Sequence, residues 1–382
     1  MSPNEIDLLR EVTIIIPTYE PTIFELERAI EYWRDTPVTV HVIEGSQNTW
    51  FPVGAISGCP NIVYFHLPRK PNQSPIAKLY ENFVRSSELT NTRFCALGGT
   101  DDFYTVSGLT DSLKILTSNP SIDAVAGRVL TYKTKKKLLW YHKYTPRQNW
   151  SNLESESLQD RLSTGSSWFL YAVCRTERFN KFLKICYEEK NFSKICSNVH
   201  EWMFIVLCKA MFRTKYIDSV QLVRQDNVVR GKKEQLTEAK SDAQLTWDDF
   251  IRNSPDEIYV DEIKSQLVKG FNEVTPITEH PMNLDLAREQ IRLAQLKALK
   301  SRTTPQKSKI FKSVLGNILF FFLPSLNIFS DRPRRLKYLW RNPKFQYSAE
   351  QQKEVEEIEK LLLKPRGELR LQANISEWCG EI

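Results

Sequence analysis

The chain has 382 residues and a net charge of +7, with the apolar and charged content of a globular rather than a disordered protein. Its length allows a large core and two domains, and its seven cysteines form no Cys-x-x-Cys pair, which argues against a zinc or disulfide framework. The first ten residues lack the apolar core of a signal peptide. Nowhere does the sequence contain the roughly 18 uninterrupted apolar residues that a membrane-spanning helix needs. These observations predict a cytoplasmic protein.

The first hundred residues alternate between strand-like and helix-like segments. Strands are predicted at 12–16, 38–43, 62–65 and 93–97. We expect Pro17 to end the first strand, apolar residues at helical spacing to continue to Trp33, and Ser74 and Pro75 to open a second helix. This alternation is typical of right-handed βαβ units and predicts a mostly parallel sheet flanked by helices.

Two glycines and two acids follow the strand predicted at 93–97. Asp101 and Asp102 come after Gly98 and Gly99, and helical spacing of apolar residues begins at Val106. In open α/β sheets, ligands bind outside the carboxyl ends of the strands. Carboxylate oxygens there suit Mg²⁺ or Mn²⁺, although an Asp-Asp pair on its own is also typical of a turn or a helix cap.

Three segments, in order and spacing, resemble the motifs of glycosyltransferase family 2. Residues 13–19 resemble the opening strand of that family, and Glu44-Gly45-Ser46 falls where the family usually has Asp-x-Ser. Residues 100–103 fall at its metal-binding Asp-x-Asp motif, and residues 28–33 resemble a bacterial subgroup that builds surface glycans. The resemblance covers roughly residues 10–230 and implies the GT-A fold, a nucleotide-binding α/β sandwich.

This resemblance implies a metal-dependent, inverting hexosyltransferase for surface polysaccharide or lipopolysaccharide assembly. The donor would be a nucleotide-diphosphate sugar, with a UDP-sugar favoured, and the acceptor a glycan or glycolipid. Mn²⁺ or Mg²⁺ is the expected cofactor, with Asp102 as its ligand. The residues expected to bind the donor are Pro17, Thr18, Tyr19, Glu20, Glu44, Lys78, Asp101 and Arg224.

Two positions depart from the family pattern. Glu44 stands where the family has Asp, so its contact with the base or ribose is one methylene longer. The acidic motif begins with Thr100 rather than an acid, and Asp101 is expected to bind either the ribose or a metal-bound water.

The second half of the predicted catalytic domain holds the acceptor site and the base. A strand is predicted at 123–130, followed by a lysine cluster at 133–137 that fits either a solvated hairpin tip or a contact with the acceptor. Ser166 and Ser167 are expected on the acceptor side, where small polar residues suit sugar hydroxyls; the alternative is a plain loop. After a further strand at 216–223, Arg224 has the planar fork that matches a diphosphate.

Glu201 is the predicted catalytic base. It lies near the start of a helix predicted from Asn198, where the family places its acidic base, and a helix N-terminus favours the ionised carboxylate. The alternative is structural, because Asn198 and Glu201 also have the spacing of a capping box.

The C-terminal third is predicted to be helical. Helices are expected at 251–271, at 284–299 with Leu284, Ala287, Ile291, Ala294 and Ala298 inward, and from Ser348 with Val355, Ile358 and Leu362 inward. The segment 301–345 holds ten Lys or Arg and one acid, and encloses an apolar stretch at 310–329. That stretch fits a peripheral membrane contact or a helix buried against the catalytic domain or a dimer partner.

The predicted domains are residues 1–235, with a donor half at about 10–105 and an acceptor half at about 106–235, and residues 236–382. Three other functions stay open. A nucleotidyltransferase usually has a glycine-rich loop after its first strand, which residues 17–21 lack. A basic binding protein for nucleic acid or phosphate fits the C-terminal charge, but no nucleic-acid module is recognised and no nucleic-acid partner is expected. A transferase that binds without catalysing, and a homo-oligomer, also remain open.

Overall fold

The computed structural model describes most of the chain. The described residues are 2–18, 23–47, 56, 58–70, 73, 75–135, 138–144, 150–163, 171–187, 197–225, 258–275, 277–303 and 348–364. Four predicted site residues lie outside them: Tyr19, Glu20, Ser166 and Ser167. The apolar stretch at 310–329 and the domain boundary near 235 also lie outside, so the membrane contact and the domain division stay predictions.

The described residues form nine strands in one sheet. They are β1 (Val12–Thr18), β2 (Thr39–Glu44), β3 (Ile62–His66), β4 (Phe94–Leu97), β5 (Asp102–Tyr104), β6 (Ala124–Lys135), β7 (Leu138–Tyr144), β8 (Val173–Arg175) and β9 (Thr214–Gln225). The order is β3-β2-β1-β4-β8-β6-β9-β5, with β7 added to β6. Strands β1 to β4, β6 and β9 share one direction, while β5, β7 and β8 run against it.

Helices cover both faces of this sheet. They are α1 (Pro3–Arg10), α2 (Ile23–Trp33), α3 (Pro75–Glu88), α4 (Val106–Ser118), α5 (Leu158–Ser163), α6 (Thr176–Cys186), α7 (Ser197–Met211), α8 (Ile258–Asn272), α9 (His280–Thr303) and α10 (Ala349–Leu363). The prediction of a mixed α/β fold, a mostly parallel sheet flanked by helices with further helices at the C-terminal end, is confirmed. None of the described helices has the length and apolarity needed to cross a membrane.

Pro17 does not end the first strand, as the sequence predicted, because β1 continues to Thr18. The Ile15 carbonyl accepts a hydrogen bond from Gly98 N at 2.8 Å, so the backbone of Ile15 faces β4. Alternate residues of a strand share a side, and Pro17 therefore faces β4 as well. Strand β4 pairs with β1 only as far as Ile15, so no partner there requires the N–H that proline lacks.

Alternation along β1 divides the core between the two faces. Ile15 packs in a cluster with α3, α6, α7, α8 and α9, whereas Ile14 and Ile16 pack in a cluster with α1, α2 and α4. The C-terminal helices α8 and α9 therefore share an apolar core with the sheet.

Helix α9 is rotated slightly from its predicted orientation. Leu284, predicted inward, is 40% exposed, while Ala287, Ile291 and Ala294 are buried as predicted. The buried stripe includes Asn283 instead, because its Nδ2 donates to Asn272 Oδ1 and Thr275 Oγ1, both at 2.7 Å. These hydrogen bonds fix the start of α9 against the end of α8.

His41 should make stability depend on pH near neutrality. It lies buried in β2 with Nδ1 3.2 Å from Ser86 Oγ, and burial lowers the pKa of its imidazole. A depressed histidine pKa means that the unfolded chain takes the proton first, so stability is lost as the pH falls through 6.5. We expect the free energy of unfolding in denaturant to fall from pH 7.5 to 5.5, and more steeply in the wild type than in His41→Gln. Parallel profiles for the two proteins would contradict this.

Candidate active site

A row of polar residues closes the carboxyl ends of three neighbouring strands. Thr18 pairs in register with Glu44, and Glu44 pairs with His66. The Thr18 carbonyl accepts from Gly45 N at 2.9 Å, and His66 Nε2 lies 3.1 Å from the Ser46 carbonyl oxygen. Thr18 and Glu44 are buried. This is the edge of a parallel sheet where ligands bind.

Helix α3 passes very close to the turn after β2. A Cβ added to Gly45 would lie 2.9 Å from Asn82 Nδ2 and 3.2 Å from Lys78 Cγ, so a larger residue there would require these side chains to shift. Lys78 is buried, and its ammonium donates to Glu81 Oε2 at 2.9 Å. The predicted donor residue Lys78 is therefore beside the Glu44 motif, with its charge balanced by Glu81.

Asp102 begins a short strand that the sequence analysis missed, and Asp101 directly precedes it. The sequence predicted a helix from Val106, where it does start, but no strand directly before it; β5 occupies the residues in between, from Asp102 to Tyr104. Strand β5 forms because it pairs with β9, where Asp102 is the partner of Arg224. Asp102 Oδ1 and Arg224 Nε lie 3.8 Å apart, and the carboxylate is buried.

Gly99 is required for the acids to approach the backbone. A Cβ at this position would lie 2.7 Å from Asp102 Oδ2 and 3.1 Å from Asp101 Oδ1. The Tyr171 hydroxyl and the Gly99 backbone both hydrogen-bond to the Asp102 carboxyl. Burial, reinforced by the neighbouring charge of Asp101, nevertheless raises the pKa of Asp102 to about 7, and Arg224 offsets only part of that effect.

Tyr171 contacts both β5 and Arg224 at the end of β9. Its carbonyl accepts from the Tyr104 hydroxyl at 3.0 Å, and the Arg224 guanidinium lies 5.0 Å from the centre of its ring. The same Tyr104 hydroxyl donates to the Leu97 carbonyl at 2.6 Å, which fixes β5 against the end of β4. Cation–π contact and the ion pair together hold Arg224 over the acids.

The Asp102 carboxyl fits a cation ligand. Its Oδ1 is buried and makes no hydrogen bond within the part of the chain that the structure describes. Arg224 offsets only part of the cost of this buried carboxylate, and a divalent ion would supply the further positive charge. The described residues contain no cluster of three or more His, Cys, Asp or Glu suited to a metal. An ion there would take its other ligands from water and substrate phosphates, as Mg²⁺ commonly does.

Glu201 lies on the same side of the molecule. Helix α7 ends at Met211, and β9 starts at Thr214, at the end of the sheet opposite the site. The N-terminal end of α7 therefore lies toward the carboxyl edge, and Glu201 is exposed there. Its charge contributes to the raised pKa of Tyr80 on α3, although burial is the main cause.

The start of α7 bears on the capping alternative for Glu201. The helix begins at Ser197, so Asn198 lies inside it rather than at its cap, and no acid falls in the first turn. Glu201 is exposed on this helix, beyond its first turn.

No protein-family model matches the chain, and no curated protein matches it. Among solved structures, the chain is similar to the crystal structure of S. aureus TarS 1–349, at 11% identity and a TM-score of 0.40, over 77% of this chain and 92% of that one. A second crystal structure of S. aureus TarS has 13% identity and a TM-score of 0.35, over 73% of this chain and 53% of that one.

The structure brings together part of the predicted site. Thr18, Glu44, Lys78, Asp101, Asp102 and Arg224 lie along the carboxyl edge, and Pro17 precedes Thr18 in β1. His66, Asn82 and Tyr171 were not predicted. His66 has a sequence signal, because it ends a strand next to Glu44. Tyr171 has no such sequence signal, because its place beside Asp102 and Arg224 depends on tertiary contacts between distant segments.

Proposed function

We propose that the protein is a metal-dependent, inverting glycosyltransferase of the GT-A type. It would move a sugar from a nucleotide-diphosphate donor, with a UDP-sugar favoured, to a glycan or glycolipid acceptor. The observation that supports this most is the buried carboxyl of Asp102 at the ligand-binding edge of the sheet, with Oδ1 free of hydrogen bonds within the described chain. Burying an ionised carboxyl costs stability, so a functional counter-ion is a better explanation than packing.

Different residues around this carboxyl would bind different parts of the donor. Thr18 and Glu44, which are partners in register at the strand ends, would contact the nucleoside, and the Arg224 guanidinium can form the paired hydrogen bonds that a diphosphate accepts. Asp102 would hold Mn²⁺ or Mg²⁺, which neutralises negative charge on the leaving diphosphate. Tyr171 supports this arrangement by fixing both the carboxyl and the guanidinium.

The transfer itself requires one proton acceptor. The acceptor hydroxyl oxygen bonds to the anomeric carbon as the bond from that carbon to the diphosphate oxygen breaks, and the hydroxyl proton passes to a carboxylate. Glu201 is our candidate for that base, because it is exposed near the N-terminal end of α7 on the side of the carboxyl edge. The oxocarbenium-like transition state resembles that of glycoside hydrolysis.

Glu201→Gln tests the base directly. The amide keeps the size of the side chain but cannot accept the proton, so we expect kcat to fall by about 100-fold or more. Donor affinity should stay unchanged, because the base contacts the acceptor. The matched control is Glu177→Gln, an exposed glutamate in the first turn of α6, which should leave kcat unaltered. Wild-type turnover in Glu201→Gln would remove Glu201 from the mechanism.

The overall proposal is tested by ligand-induced stabilisation. Purified protein is heated with UDP, GDP, CDP, ADP or dTDP, each with and without Mn²⁺, and then with the sugar nucleotides of the base that stabilises best. A ligand at 100 times its Kd stabilises the folded state by about 2.7 kcal/mol. Stabilisation that requires both Mn²⁺ and one nucleoside diphosphate is the expected result; no effect from any pair would contradict the proposal.

Further assays on the purified protein distinguish the proposed glycosyltransferase from the three alternative functions. A nucleotidyltransferase would prefer a nucleoside triphosphate and release pyrophosphate when a sugar phosphate is added. A nucleic-acid-binding protein would bind DNA with an affinity that falls steeply as salt rises. A transferase that binds without catalysing would be stabilised by the donor and Mn²⁺ yet form no product with any acceptor.

A further inference from the structure

The strand that carries Asp102 has little support within the sheet. Strand β5 has only three residues, and in the described chain it is an edge strand that pairs with β9 alone. Strands usually have five or six residues, and three residues along one neighbour make few hydrogen bonds. Its geometry must therefore depend on contacts from outside the sheet.

Helix α10, more than 240 residues further along the chain, covers the back of this strand. Phe103 is completely buried in a cluster with Val355, Ile358 and Leu362 of α10. Side chains alternate along a strand, so Asp102 and Tyr104 lie on the face opposite Phe103. The C-terminal helix thus supports the strand from the side away from the candidate site.

Glu354 fixes the next segment of the same chain. Its carboxylate accepts hydrogen bonds from the backbone N–H of Val106, from Ser107 N at 3.2 Å and from Ser107 Oγ at 2.6 Å. These are the first residues of α4, and a carboxylate is favoured at a helix N-terminus. Thr105 already caps Gly108 N at 3.1 Å, so Glu354 satisfies amides that the cap leaves open.

Helix α2 completes the support. The Tyr32 hydroxyl donates to the Tyr104 carbonyl at 2.7 Å, on the strand itself. Lys364, next to the end of α10, has its Nζ 3.4 Å from Glu31 Oε1 on α2. The acid-bearing strand is thereby held between two helices, one from each end of the sequence.

We infer that Glu354 is a positioning residue for the Asp102 site, acting by fixing the junction of β5 and α4. The inference rests on the proposed function only for its effect on ligand binding; the link between Glu354 and β5 stands on the contacts themselves. The competing explanation is that Glu354 contributes to overall stability alone.

Hydrogen exchange in the full-length protein separates these explanations. In Glu354→Ala, amides of residues 102–108 should exchange about ten times faster than in the wild type, while those of β2 keep their rates. Glu350→Ala is the control, since this glutamate is exposed one turn earlier on the same helix. Glu354→Gln, which keeps one acceptor oxygen, should lie between Ala and the wild type.

Binding is then measured on the same variants. The Kd of UDP in the presence of Mn²⁺, at a temperature where every variant is folded, should rise about tenfold in Glu354→Ala and remain unchanged in Glu350→Ala. Faster exchange at 102–108 together with weaker binding supports the inference. Unchanged exchange there, equally faster exchange everywhere, or local loosening with wild-type affinity would each overturn it.

The two proposals fail in different ways. If wild-type protein binds neither UDP nor another nucleoside diphosphate with Mn²⁺, the proposed function fails. The exchange rates of 102–108 then still decide whether Glu354 positions the strand that carries Asp102.

Discussion

Asp102→Asn should abolish Mn²⁺-dependent binding of the nucleoside diphosphate and reduce sugar transfer by about 100-fold to 1000-fold or more. The asparagine side chain has the same shape as aspartate but carries no charge, and a neutral amide oxygen is a much weaker ligand for a hard divalent ion. Titration of Mn²⁺ into the protein with its nucleotide, followed by product formation, measures both losses.

The same substitution should stabilise the protein when no metal is added. Burial, and then the charge of Asp101, raises the pKa of Asp102 from 3.8 to about 7. A carboxyl with a raised folded pKa contributes stability below pH 3.8 that is lost as the pH rises through about 7. At pH 8 the wild type therefore carries the full cost of the buried charge. At about 1.4 kcal/mol for each pKa unit, removing it should raise the free energy of unfolding by up to roughly 4 kcal/mol, less what the ion pair with Arg224 contributes.

Lost function combined with gained stability distinguishes a functional acid from a structural one. Asp101→Asn is the comparison, because Asp101 is only partly buried and adjoins the same site. We expect it to lose less Mn²⁺ affinity than Asp102→Asn. The reverse order would assign the metal to Asp101. A destabilised Asp102→Asn protein with normal binding would leave Asp102 a structural role only.

Much of this site follows from local sequence patterns. The β-branched run before Pro17 predicts a buried strand, and alternating elements predict that several strand ends meet at one edge of a parallel sheet. That reasoning places Thr18, Glu44 and the acids near one another without any coordinates. Ser348 and Gln351 likewise predict the start of α10, where Gln351 N donates to Ser348 Oγ at 3.1 Å.

The rest depends on contacts that no local pattern encodes. Strand β5 exists because β9 pairs with it, and those segments are more than a hundred residues apart. Propensity alone favoured a direct passage from the acids into a helix, and tertiary pairing overrides it. Glu354 is one of several glutamates in an acidic helix, and only the docking of α10 on α4 distinguishes it from its neighbours.

Arg161 gives the largest effect that we expect on stability. It is buried at the end of α5, and its guanidinium donates to four carbonyl oxygens. The acceptors are Lys209 at 3.0 Å, Ala210 at 2.7 Å, and Ser155 and Glu156 both at 2.8 Å. The first two lie in the last turn of α7, where carbonyls have no partner within the helix.

Arg161→Met keeps much of the length and volume of the side chain but removes every donor. Four carbonyls then lose their partner, those of Lys209 and Ala210 in buried hydrogen bonds and the other two in partly buried ones. Each buried group left unsatisfied costs about 1–3 kcal/mol unless water reaches it. Allowing for relaxation, we expect the free energy of unfolding to fall by about 3–5 kcal/mol. Urea unfolding followed by circular dichroism measures the change.

Arg292→Met is the matched control on α9. The Arg292 guanidinium makes two hydrogen bonds to the Glu289 carboxylate, at 2.7 and 2.8 Å, and it lies on the exposed surface, unlike that of Arg161. Exposed ion pairs exchange protein contacts for water with little net gain, so the urea midpoint should not move measurably. Equal midpoints for the two variants would mean that the carbonyls around Arg161 find other partners.

Measuring kcat in Arg161→Met shows whether the substitution affects only the stability of the fold or also the catalytic step. Arg161 closes the C-terminal end of α7, whereas Glu201 lies toward the opposite end of that helix. Per folded molecule, Arg161→Met should therefore keep the wild-type kcat, while the activity of a heated sample falls with the folded fraction. A reduced kcat at a temperature where the variant is fully folded would show that α7 transmits the change along its length, and that the position of Glu201 depends on both ends of the helix.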